Sequence, residues 1–425
     1  MSTDTAAAHR AVEAVWRIES ARIIAGLARL VADVGLAEEL AQDALVAALE
    51  QWPAQGMPAN PGAWLMLTGR HRAIDRIRRD ERLAGKLALL GRDLAAAQPA
   101  APAEFDAVLD EDKIDDDLLR LMFVACHPVL PVEGRIALTL RLLGGLTTEE
   151  IARGFLAAEP AIAKRIVRAK RTLADRQVPF EVPPAADRPA RLASVLEVIY
   201  LVFNEGYSAM AGDDWMRPAL CGEALRLGRV LAGLMPAEPE VHGLAALMEI
   251  QASRIPARLS PEGLPVPLPE QNRGRWDQLL IRRGFTALLR AEQLARPPGP
   301  YVLQAAIAAC HARARAAADT DWRQIAALYA ALGACSPSPV VELNRAVAVA
   351  MADGPEQGLR IIDALAGEPV LAGYHHLPSV RGDLLARLGR HPEAAGEFRR
   401  AAELTRNIPE RTVLLRRAAE CDARS

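Results

Sequence analysis

Charge is unevenly placed along this 425-residue chain, and the charged stretches are where its chemistry could lie. Residues 70–86 read RHRAIDRIRRDERLAGK and residues 164–176 read KRIVRAKRTLADR, two basic blocks. Between them residues 104–117, EFDAVLDEDKIDDD, are strongly acidic, so a formal net charge of −2 hides the segregation. Two basic helices joined by an acidic segment suit two separate contacts with a polyanion. A solvated helix face is the competing reading of either block alone. No nucleophile–base pair or phosphate-cradling loop accompanies them. His375, His376 and the other histidines make no metal spacing, and five dispersed cysteines form no CxxC pair. Neither an enzyme nor a bound cofactor is expected, and Glu205 is read as an anchor rather than as a catalytic acid or base.

The elements that carry these charges read as helices. Hydrophobic residues make up 51% and aromatics 4% of the chain, an Ala/Leu/Arg-rich mixture that favours helix over sheet. Val12, Val15, Trp16, Ile23, Leu27 and Leu30 recur at three- and four-residue steps, predicting a helix over 6–33. A second helix is expected over 38–52, then a Pro/Gly-rich loop over 52–62. Asn60 and Pro61 are placed to open the next helix, apolar at first and basic at its end. Residues 145–173 have the form of a helix-turn-helix. Thr147 or Thr148 caps the first helix, a turn falls near 156–158, and the second helix starts at Glu159–Pro160. Ile162, Ile166 and Ala169 lie on its buried side, with Lys164, Arg165, Arg168, Lys170 and Arg171 on the remaining faces. A major groove admits one such helix, while flanking basic groups hold phosphates. An ordinary helical hairpin with a basic face is the alternative. No apolar run is long enough to span a membrane, and the N-terminus lacks the order of a signal peptide, so a cytoplasmic protein is expected.

The two segments together carry a resemblance. LAEELAQDALVAALEQW…NPGAWLMLTGRHRAIDRIRR, within 36–79, resembles region 2 of the extracytoplasmic-function sigma factors of the sigma-70 family. LTTEEIARGFLAAEPAIAKRIVRAKRTL, residues 146–173, resembles their region 4 without a gap. Two positions depart from the pattern. His71 stands where the family usually has Asn, and the turn reads LAAEP where a Gly and then Ser or Thr is usual. The resemblance implies that the chain binds core RNA polymerase and promoter DNA. Glu39, Gln42 and Asp43 would face arginines on the clamp helices of the β′ subunit. Part of the apolar face of 132–143 would grip the β flap. His71, Arg72, Asp75, Arg76 and Arg79 would meet the −10 element, with Arg76 and Arg79 on phosphates, and the loop at 53–60 would hold an unstacked base. Glu159, Ala163 and Lys164 would reach base edges of the −35 element, and Arg165 and Arg168 its phosphates. Trp64 and Leu65 read as core rather than as a stacking platform.

The remainder of the chain predicts helical repeats. TDWRQIAALYAAL, GPEQGLRIIDALAG and HPEAAGEFRRAAEL align as second helices of hairpins, with Asp321, Pro355 and Pro392 at matching starts. Their spacing in the thirties and the small residues at helix contacts point to tetratricopeptide-like units, which usually present a groove to a protein or small-molecule partner. Residues such as RLASVLEVIYLVFNEGYSA and SPVVELNRAVAVA also resemble the long extension of one sigma subgroup. The expected fold is therefore all-α. Residues 6–86 form region 2, 87–116 an acidic linker, 117–176 region 4, 177–190 a Pro-rich linker and 191–425 the repeat extension. A helix-turn-helix regulator with a repeat sensor, which recruits polymerase without joining it, is the second reading; it leaves the region-2 segment unexplained.

Overall fold

The computed structural model describes residues 3–89, 111–155, 157–207, 216–261 and 263–424. It is 78% helical, with eighteen α-helices and no strand among the described residues. The chain divides into two compact units, residues 1–198 and residues 199–425.

The first unit begins with α1 (Thr3–Val31), α2 (Val34–Gln55) and α3 (Pro61–Leu89). Asp33 caps α2 by accepting from the Leu36 N–H at 2.8 Å, and Asn60 does the same for α3 through the Ala63 N–H at 3.0 Å. α2 runs through Pro53 to Gln55, so the loop is 56–60 rather than the expected 52–62. Pro53 has no N–H to donate to the preceding turn, and the helix ends two residues later. Gly56, at φ +83°, then stops the helix and donates to the Trp52 carbonyl. Ile23, Ile24 and Leu27 of α1 are buried with Leu65 of α3 and Ala37, Ala41, Ala44 and Ala48 of α2. α1 and α3 approach so closely that a Cβ at Gly69 would stand 2.9 Å from a Leu27 methyl.

α4 (Glu111–Ala125), α5 (Val132–Leu142), α6 (Thr148–Gly154) and α7 (Glu159–Asp175) follow. α4 starts inside the span read as linker. Leu118, Leu121 and Met122 give it a buried face. Phe123, Leu138 and Leu140 are fully buried. The compact unit extends past the Pro-rich segment, because the first half of α8 (Arg188–Tyr207) is tied to α4 and α5. Ser194 Oγ donates to the Cys126 carbonyl at 2.6 Å, and Arg191 donates to the Phe123 carbonyl at 2.7 Å. Arg135 donates to Ser194 and Glu197.

In the second unit α10 (Pro239–Ser253) is buried nearly all round, packed by α9 (Pro218–Leu234), α11 (Gln278–Gln293) and α12 (Pro300–Arg313). Antiparallel hairpins follow: α12 with α13 (Trp322–Cys335), α14 (Pro339–Asp353) with α15 (Pro355–Leu365), and α16 (His376–Arg387) with α17 (His391–Leu404). These are the first and second helices that the sequence repeat predicts. α18 (Ile408–Asp422) packs on α17. Gly354 and Gly389, with φ of +106° and +75°, make the last two hairpin turns. Small residues bring α14 and α15 together; a Cβ at Gly358 would lie 2.5 Å from that of Ala350. Glu205 is an anchor, paired with Arg217. Nearby, Arg258 lies 3.4 Å over the Tyr207 ring and donates to the Tyr207 carbonyl.

Candidate nucleic-acid interface

α3 turns from core to surface along its length. Leu65 is fully buried, and half-buried Trp64 packs edge-on against the buried Trp52 with ring centroids 5.4 Å apart. About two to four turns later His71, Asp75, Arg76 and Arg79 are exposed. Arg72 is half-buried, and its guanidinium lies 3.6 Å from the Asp43 carboxylate of α2. Two residues read for different partners are thus neighbours across α2 and α3. Glu39 and Asp43 are exposed, while Gln42 is half-buried and donates to Glu38 at 2.6 Å.

The helix-turn-helix forms where the sequence predicts it. Thr147 caps α6 in a capping box: its hydroxyl accepts from the Glu150 N–H at 3.1 Å, and the Glu150 carboxylate accepts from the Thr147 N–H at 2.9 Å. α7 starts at Glu159 with no side-chain cap, and Pro160 fills its first turn. Ile162, Ile166, Ala169 and Leu173 are buried. Glu159, Lys164, Arg165 and Arg168 are exposed, and Ala163 is half-buried. Lys170 departs from the expectation that it lies on an outer face. Its ammonium turns inward and pairs with Glu38 of α2.

Glu38 is the residue that sequence reasoning missed. It is 2% exposed, accepts from Arg141 Nε of α5 at 2.6 Å, and pairs with Lys170 of α7. Asp117 of α4, also 2% exposed, receives Arg29 of α1 at 3.1 Å and Arg120 at 2.6 Å. Burial raises the Asp117 pKa above its usual value, against the pull of Arg29 and Arg120. Arg17 of α1 adds a more exposed pair with Glu150, at 2.5 Å. The helix-turn-helix unit is therefore held against α1 and α2 by carboxylates shielded from water. The signal for Glu38 was present. It interrupts the small apolar stripe of Val34, Ala37, Ala41, Ala44 and Ala48, and a charge on a buried stripe requires partners.

Comparisons with known proteins agree with this layout. Residues 18–83 match the family described as Sigma-70 region 2, and residues 120–173 match Sigma-70, region 4. Residues 191–292 match a family of unknown function, DUF6596. An uncharacterized protein of Rhizobium meliloti (strain 1021) is 46% identical over 384 residues, covering 90% of this chain and 89% of that protein. The crystal structure of the yeast Tom70 aligns over 99% of this chain and 86% of its own, at 12% identity and a TM-score of 0.31, a likeness too slight to support inference. No helix among the described residues is long and apolar enough to cross a membrane. With both sigma regions matched in order ahead of a long helical extension, the chain belongs to the sigma-70 family, in the extracytoplasmic-function type.

Proposed function

We propose that this chain is an alternative sigma subunit, acting in the cytoplasm, that joins core RNA polymerase and directs it to promoters with −10 and −35 elements. The observation that carries this reading is the pair of helices α3 and α7. Each buries an apolar face in its own sigma region and leaves an outward row of cations, Arg76 and Arg79 on one, Lys164, Arg165 and Arg168 on the other. His71, Arg72 and Asp75 would lie beside the −10 strand. Glu159 and Ala163, in the first turns of α7, would reach −35 base edges, as the N-terminal part of a recognition helix does. Glu39, Gln42 and Asp43 would dock on the β′ clamp helices, and the face of α5 left uncovered by the core would meet the β flap.

The buried pairs at Glu38 and Asp117 hold the two regions together in the free chain. Reading two elements more than a helical turn apart (about 34 Å per turn) needs them separated. Joining polymerase would therefore exchange these internal pairs for external ones. The extension would control that exchange in cis, by docking on the sigma regions or on polymerase, and would offer its own groove to a protein or small molecule.

The test is copurification with core polymerase, followed by transcription from a genomic library in vitro. Wild type is expected to copurify and to select a small set of start sites. Glu39→Lys with Asp43→Lys is expected to lose the association while keeping its helical circular dichroism. If the double variant copurifies as wild type does, or if wild type does not copurify at all, the sigma reading fails and the recruiting regulator replaces it.

A further inference from the structure

Outside the sigma regions, the start of α16 and the first turn of α18 bring three metal-ligating side chains together. His375 and His376 are adjacent in sequence, and neighbouring side chains at a helix start splay by about 100° around the axis. Here their rings instead lie on one side, with centroids 4.0 Å apart and planes at 41°. Tyr374 packs edge-on against His376, with centroids 5.0 Å apart, and so braces the pair. α18 brings Glu410 to the same place, its carboxylate 3.1 Å from His375 Nε2. One donor atom from each of the three residues lies within 4.8 Å of the others.

We propose that His375, His376 and Glu410 form a binding site for a divalent transition metal of the zinc class, joining the start of α16 to the first turn of α18. Two imidazoles and a carboxylate are a donor set that zinc accepts, with a fourth position left to water. The nitrogen donors favour zinc, nickel or copper over magnesium and calcium, which select oxygen. Tetrahedral zinc with bonds of about 2.0–2.1 Å holds its donors roughly 3.3 Å apart. The His375–Glu410 separation already meets that distance, and rotation of His376, the exposed member, closes the rest.

The carboxylate is held by buried neighbours. Thr405 Oγ1 donates to Glu410 Oε2 at 2.7 Å, and the Asn407 N–H donates to Thr405 Oγ1 at 3.2 Å. Thr405 and Asn407 are 3% and 2% exposed. Arg411 holds the Thr405 carbonyl at 2.9 Å. A ligating carboxylate fixed by a buried hydrogen-bonded neighbour is how metal sites orient their ligands. Glu410 Oε2, the oxygen that faces His375, offers one lone pair to the metal while the other keeps the Thr405 bond. The metal would clip the α16–α17 hairpin to α18. The inference is independent of the sigma reading.

The probe is Co²⁺, whose visible d–d absorption reports coordination, with Zn²⁺ content measured on the same samples. Chelator-stripped full-length protein is expected to take up about one equivalent of metal and to unfold at a higher temperature with it. His376→Asn is the decisive variant, since His376 is exposed and lies outside the Thr405 network, so the fold survives its loss. It is expected to weaken uptake by at least about tenfold, with unchanged circular dichroism. Wild-type protein that takes up no metal overturns the site. So does a His376→Asn variant that binds as tightly as wild type, which would place the metal elsewhere, as at the cysteines.

Discussion

Arg165 and Arg168 stand exposed on α7 beside Lys164, while Lys170, two residues further on, is drawn inward by Glu38. The basic run of α7 therefore divides into groups free to meet phosphate and one spent on an internal pair. Replacing Arg165 and Arg168 by alanine is expected to weaken promoter binding across sequences rather than to change its preference. Each lost phosphate contact releases fewer counterions, so the slope of log affinity against log salt should shrink by about 0.9 per contact. An unchanged slope in titrations at several salt concentrations would remove both arginines from the interface.

Elements meet through Glu38. α2 presents it on the side that faces α5 and α7, where Arg141 and Lys170 are each only partly exposed. Glu38→Ala leaves two cations and a Gln42 amide without their acceptor, which is expected to cost about 1–3 kcal/mol in urea unfolding. Glu39→Ala, one residue along on the exposed face, is expected to stay within about 0.5 kcal/mol. If the two variants unfold alike, Glu38 does not hold the helix-turn-helix to α2. A second readout follows from the same geometry. Fluorophores on α2 and α7 should move apart in Glu38→Ala, since the pair that closes them is gone.

At the scale of the whole molecule the two compact units decide where the chain can be cut. Cutting after Arg176, at the end of the helix-turn-helix, would discard Arg191, Ser194 and Glu197, which bind α4 and α5. The fragment 1–198 keeps them, and its boundary is that of the first unit. It is expected to remain soluble and to bind core polymerase, with transcription from the cognate promoter changed severalfold from that of the full chain. Equal transcription by both, with and without inducing conditions, would make the extension an independent binding module rather than a regulator in cis.

Spacing along the chain determined most of the helices, because a helix writes its buried face into neighbours three and four residues apart. Asn60, Thr147 and Asp321 could be read as starts for the same reason, since a cap bonds within its own first turn. The hairpins of the extension were legible through repetition: Pro355 and Pro392 mark the same local event twice. The paired motifs at 36–79 and 146–173 gave the family. What no local pattern holds is which charge meets which across the fold. Glu38 and Arg141 are 103 residues apart in sequence. His375 and His376 show no metal spacing until α18 returns Glu410 to them. Lys170 reads as one more basic residue on an outer face until α2 packs beneath it. Only tertiary packing settles these contacts, because a buried charge is stable only beside a partner, and that partner is chosen by how helices stack rather than by their order in the chain.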